Sequence, residues 1–308
     1  MRITVYERET GELFEEKVYG RIFIEMLYSR GWLVKKLAFF LRLLITQMSF
    51  LSKGYGLLQK TAWSRWKVSR FITKFQIDPT EFEQPVAAFQ SFNDFFIRSL
   101  KPACRPVALD ANTAIMPADG RYLVFPSIDQ SKGFYAKNQT FNLSQLLRDP
   151  VLANHYHRGG LVIARLCPTD CHRFWFPCDC VPSEPKRIRG PLYSVNPIAL
   201  RDRLAILAEN DRMITMLQTR AFGDVLFIEI GATFVGAIKQ TYCPMAARAK
   251  GDEKGYFEFG GSCILLLFEP NRIHFDADLI RASNAYTETR GKMGQPLGRT
   301  AAPTRADQ

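Results

Sequence analysis

Two neighbouring stretches decide how this chain folds: DVLFIEIGATFVGAIKQTY (residues 224–242) and KGDEKGYFEFGGSCILLLFEP (residues 250–270). Each carries a run of aliphatic and aromatic residues that breaks at glycine. That is the texture of buried strands bounded by turns. Outward from them, RYLVFP (121–126), GLVIARL (160–166), PLYSVN (191–196) and MITMLQT (213–219) repeat it. Helical spacing shows at 143–153, at 198–209 and in FNDFFIRSL (92–100). The expected class is α+β, a β-rich mixed or antiparallel domain preceded by amphipathic N-terminal helices. The boundary falls near residue 85, giving a helical region 1–85 and a β-rich domain 86–300.

Charge separates the two regions further. The 308-residue chain carries a net +11, and residues 21–75 alone hold +10. Such a patch attracts nucleic acid or anionic lipid head groups. No zinc finger, RRM or helix-turn-helix signature accompanies it, so nucleic acid is not the expected partner. Leu33, Leu37, Phe40, Leu41 and Leu44 fall at helical spacing, with Lys35, Lys36 and Arg42 mostly off that stripe. Trp63, Trp66 and Phe71 punctuate a second basic stretch. The longest uncharged run, Leu43–Leu51, is nine residues, against roughly 20 for a membrane-spanning helix. The segment therefore reads as a basic amphipathic pair lying in a membrane interface. The bland reading is a helix pair packed on its own domain with a solvated face. MRITVYERETGELFEE at the N-terminus has no apolar signal core, which points to a peripheral protein on the cytoplasmic face of the cell membrane.

Seven cysteines, an odd number, do not suggest a secreted disulfide framework. Four of them crowd CPTDCHRFWFPCDC (167–180). Cys167 and Cys171 have zinc-like spacing; Cys178 and Cys180 are too close for the usual knuckle. No metal is expected there, and small buried thiols are the alternative.

Six stretches, in order, resemble the phosphatidylserine decarboxylase family: SFNDFFIRSLKPACRP (91–106), MPADG (116–120), HRFWFP (172–177), GPLYSVNP (190–197), IEIGATFVGAI (228–238) and KGDEKGYFEFGGS (250–262). Their cadence is closest to bacterial members, with the chlamydial branch foremost. The resemblance implies a chain that cuts itself at Gly261-Ser262, leaving a β fragment 1–261 and an α fragment 262–308. Cys263 stands where the family usually has Thr or Ser. Ser262 would attack the Gly261 carbonyl, and the resulting ester would eliminate to leave a covalent pyruvoyl group on the α fragment. That group serves as the electron sink for departing CO2, the role PLP plays elsewhere. The implied substrate is the phospholipid phosphatidylserine, and the product phosphatidylethanolamine. Assembly with a second copy of the chain stays open.

The nucleophile needs a base, and a base needs an orienting group. Asp119 of MPADG matches the family's triad aspartate, although Asp-Gly is also turn chemistry. The family motif H-x-x-H keeps its first histidine, His172, which is linked to protonation. Its second histidine, the usual processing base, is replaced by Trp175, whose indole can only donate. Either His172 serves both steps, or His155, His157 or His274 reaches the site, or the chain is a processing-impaired relative that binds phospholipid without catalysis. His155 and His157 read as loop residues. His274 reads as the polar face of a strand continuing through Asp276 and Asp278. For the substrate, Tyr193 and Val195 are candidate pocket residues, and Lys186, Arg187 and Arg189 candidate phosphate ligands.

Overall fold

The computed structural model describes residues 3–16, 54, 56–131, 142–233 and 237–301. The amphipathic pair expected at 21–51 lies outside the described residues.

The class is α+β and rich in strand. Ten strands form one large sheet. Its order runs Leu13–Glu15, Thr4–Glu7, Glu288–Gly291, Gly120–Phe125, Leu161–Leu166, Ser262–Phe268, Gly223–Gly231, Arg212–Thr219. Val181–Pro182 and Lys186–Ile188 both pair with the last of these. Every pairing is antiparallel except that of Thr4–Glu7 with Glu288–Gly291. Two three-stranded sheets cover one face. One holds Arg173–Trp175, Glu253–Phe257 and Ile238–Gln240; the other holds Thr113–Ile115, Pro296–Thr300 and Ile273–Phe275.

The central strands are buried on both faces, which is why they read as continuous apolar runs. Alternation still sorts their side chains. Cys263, Leu265 and Leu267 join a core with Leu146, Leu147, Leu200 and Leu207 from the short helices. Ile264, Leu266 and Phe268 face the small sheets, against Phe174, Phe176 and Phe257. Ser262 shares the parity of Ile264. The period of two therefore aims it at the side from which Arg173–Trp175 approaches.

Four local expectations change. PLYSVN is loop, tied by backbone bonds and by Asn210, because its one buried side stops at Leu192 and Val195. The 143–153 helix breaks in two at Arg148 (φ 49°), where Asp149 caps a new start at Pro150. The 198–209 helix likewise divides into Pro197–Asp202 and Ile206–Glu209. The alternation at RIHFDADLI ends at Phe275, and Ala277–Asn284 is helix.

Residues 62–100 dock through aromatic rings. Trp66–Phe75 is a helix that buries Val68 and Phe71. With Phe82, Phe89, Phe92, Phe95 and Phe96 they enclose Phe259. Burying each such ring is worth about 1.5–3 kcal/mol. The cluster thus anchors Phe259, three residues before Ser262.

Candidate active site

Ser262 opens its strand, in register with Gly231 on one side and Leu166 on the other. It is fully buried, and among the described residues its Oγ has no hydrogen-bond partner. An orphaned buried hydroxyl is costly, and native proteins rarely keep one without use. The backbone before it is unusual too. Gly260 sits at φ 147°, a conformation other residues resist. A Cβ on Gly261 would come within 3.2 Å of the Ala232 Cβ.

The Gly261 carbonyl oxygen accepts a hydrogen bond from Ala232 N at 3.0 Å, and Gly261 N donates to Thr233 O at 3.1 Å. The carbonyl next to the serine is therefore already polarised by a fixed N–H. If Ser262 Oγ attacks that carbon, the same donor faces the developing oxyanion.

His172 is equally buried. Its ring stacks on Phe96, with centroids 3.6 Å apart. Nδ1 lies 3.1 Å from Asp170 O. A carbonyl can only accept, so Nδ1 carries the proton and Nε2 keeps its lone pair. Nε2 has no partner. Burial pushes the imidazole down to about 3, ahead of the Asp170 bond that opposes the shift, so the ring is neutral near pH 7. A neutral, tautomer-fixed imidazole with a free lone pair can accept a proton, and its burial makes it a weak base.

Asp119 is buried but engaged elsewhere. Arg105 clasps it with Nε–Oδ1 at 2.8 Å and Nη2–Oδ2 at 2.7 Å, and Met293 N donates to Oδ1 at 3.0 Å. Burial alone would raise its carboxyl, yet Arg105 outweighs this and holds it below the usual range. Its bonds run to Arg105 and Met293, not to His172. Trp175 is half-buried, and its backbone N–H donates to Pro117 O at 2.8 Å. The position of the absent histidine therefore does lie against MPADG.

A cavity of about 590 Å³ collects the remaining pieces. Gly261, Val195, Thr233, Asp119, Phe96 and Phe259 line parts of it. Val195 is thus where the sequence suggested. Tyr193 instead packs beside the helical core, with Arg203 over its ring at 5.3 Å. Lys186, Arg187 and Arg189 do not line the cavity; Arg187 is paired with Asp211 at 2.7 Å. His155 sits by Glu269 at 2.6 Å, and His157 and His274 are exposed. Among the described residues, no three His, Cys, Asp or Glu side chains gather to hold a metal. Cys167 bonds Glu16, and Cys171 donates to Arg98 O.

The sequence reading missed a buried charge network on the cavity wall. Glu16 accepts from Arg121 at 2.7 Å and from Arg165 at 2.8 Å, and Arg165 also reaches Glu288 at 2.6 Å. Burial would raise the Glu16 carboxyl, but the two arginines hold it down at about 2. Only the arginines within otherwise apolar strands, RYLVFP and GLVIARL, hinted at it.

A family profile for phosphatidylserine decarboxylase matches residues 92–299. The chain belongs to the phosphatidylserine decarboxylase family. A phosphatidylserine decarboxylase proenzyme of Chlamydia pneumoniae is 45% identical over 290 residues, 93% of this chain and 95% of the relative. Those of Chlamydia felis and Chlamydia caviae are 43% and 47% identical, over 97% and 83% of this chain and 98% and 86% of their own. All three of these relatives are named proenzymes.

Proposed function

We propose that this chain decarboxylates phosphatidylserine to phosphatidylethanolamine after cutting itself between Gly261 and Ser262. The observation that carries the reading is the pairing of Ser262 Oγ, buried and unpartnered, with a Gly261 carbonyl already held by Ala232 N. His172 Nε2 takes the Ser262 proton, and Oγ adds to the Gly261 carbon. The peptide C–N bond breaks to give an ester. Loss of the Ser262 Cα proton then expels Gly261 as a carboxylate. Water hydrolyses the remaining dehydroalanine, releasing ammonia and leaving the pyruvoyl end on the α fragment. Once formed, that group supplies the electron sink for loss of CO2. His172, still in the site, returns a proton to the product carbon.

The protein works at a membrane surface, on its cytoplasmic face. No described helix is long and apolar enough to cross a membrane. Trp63 and Trp66 are 70% and 50% exposed, beside Leu57, Leu58 and the basic Lys60, Arg65, Arg70 and Lys74. Exposed tryptophans among cations suit the lipid interface. The same helix ends at Phe75, and Phe75, Gln76 and Ile77 line the cavity. A lipid thus has a short path from the surface to Gly261.

The test is intact mass of the purified protein with a denaturing gel. Two fragments split after Gly261, the smaller with a blocked pyruvoyl end, are expected; Ser262→Ala remains one chain without decarboxylase activity. A wild-type chain that stays whole after long incubation sinks the reading.

A further inference from the structure

Among the described residues, six cationic side chains line the cavity. Five have a carboxylate partner. Arg105 holds Asp119 and Glu81, Arg121 holds Glu16 and Asp170, and Arg165 holds Glu16 and Glu288. Arg290 pairs with Glu7, and Lys292 with Glu9. Arg98 is the exception. Among the described residues no carboxylate lies within ion-pair distance of it.

Arg98 is also deeply placed, at 4% exposure. Its guanidinium stacks over Phe95 at 4.7 Å and Phe82 at 5.2 Å. Nη2 donates to Thr169 O at 2.7 Å; Nη1 reaches Phe95 O and Asp170 O, both at 3.3 Å. Carbonyls satisfy donors but do not neutralise charge, and Nε has no partner at all. Arginine does not deprotonate. A positive charge is therefore buried at the cavity wall with its Nε unused; Asp119 and Asp170 act on it from a distance without pairing, which leaves room for an arriving anion.

Position narrows which anion. The segment around Arg98 is strapped to the His172 segment: Cys171 Sγ donates to Arg98 O at 3.2 Å, and Arg173 Nε to Ile97 O at 2.8 Å. Phosphatidylserine brings two anionic groups. Its carboxylate leaves as CO2, and a cation clamped on it would stabilise the ground state against reaction. Its phosphodiester persists through the reaction and lies between the serine head and the glycerol.

We propose that Arg98 binds the phosphodiester of the lipid substrate. The proposal rests on the reading of the chain as a phosphatidylserine decarboxylase. It moves the phosphate subsite from the Lys186–Arg189 segment to the end of the Phe92–Phe96 helix.

The experiment compares full-length, self-cleaved wild type and Arg98→Met on phosphatidylserine and on its methyl phosphotriester, which has the same shape but no phosphate charge. A charge-assisted bond in a buried site predicts that wild type prefers the diester by roughly 10- to 100-fold, through KM. Arg98→Met brings the two substrates to within about threefold. A merely structural role would slow both substrates alike and keep the preference, which overturns the proposal. If Arg98→Met fails to cleave, Arg98→Lys serves instead. It keeps the charge without the planar fork, so the preference survives at a raised KM; an unchanged KM overturns the proposal. Wild type that cleaves but decarboxylates neither lipid would refute the enzyme reading itself, a separate outcome.

Discussion

Two sets of buried polar groups sit one residue apart on the same sheet and are treated in opposite ways. Arg165 and Cys263 are register partners, and so are Leu166 and Ser262. Around Arg165 nearly every donor is matched: Glu16, Glu288 and the Cys167 Sγ take its hydrogens. Among the described residues the Ser262 hydroxyl has no hydrogen-bond partner, and neither has the His172 Nε2. A saturated network resists rearrangement and holds strands in place. Unpartnered buried groups lower stability, and on the proposed mechanism these two are the nucleophile and its base.

The comparison breaks most sharply at His172. His172→Phe keeps the stack on Phe96 and removes the lone pair. Self-cleavage, followed by gel over time, should fall by about 10²–10⁴, while stability holds or rises, since a buried orphan nitrogen disappears. In the same assay Trp175→His should change the rate by less than about threefold if His172 is the base, as proposed. A large acceleration would return the role to position 175.

Glu16→Ala probes the other side. It strips both Arg121 and Arg165 of a partner in a buried setting, at a cost of about 3–5 kcal/mol. Urea unfolding of the uncleaved Ser262→Ala background would measure it. A cost below about 1 kcal/mol would mean the network is not what holds this wall.

Acid sharpens the contrast by a smaller amount. The His172 imidazole is lowered from 6.5 to about 3. The unfolded chain therefore takes up that proton first as pH falls below 6.5, and the native state loses stability until about pH 3. Comparing Ser262→Ala with Ser262→Ala/His172→Phe, the double variant should gain about 2 kcal/mol relative to the single between pH 6.5 and 5. Wild-type cleavage should be nearly flat from pH 8 to 5, where an unshifted imidazole would already be charged. Glu16, lowered from 4.5 to about 2, contributes stability above pH 4.5 that fades only as the pH falls toward 2.

Much of this was readable in one dimension. Period-two and apolar runs marked the strands around Ser262, and the six ordered motifs located Gly261, Asp119 and His172. Those signals are local, so they survive without a fold. PLYSVN failed because apolar content alone does not distinguish a strand from a loop wedged under Asn210. The strands Thr4–Glu7 and Leu13–Glu15 were invisible because TVYE and LFE are only four and three residues long and sit among charged neighbours. Thr4–Glu7 is held at the sheet by pairing with Glu288–Gly291 at the far end of the chain.

The sequence by itself determined the chemistry on offer: a serine after two glycines, one histidine where two are usual, and a basic N-terminal segment. Only the tertiary structure decided which groups were free. Asp119 is engaged by Arg105, the cations at 186–189 do not line the cavity, and among the described residues Arg98 is the one lining cation without a carboxylate at ion-pair distance. Availability depends on partners far apart in the chain, such as Glu16 with Arg165 and Arg98 with Asp170. No local pattern records which of them meet.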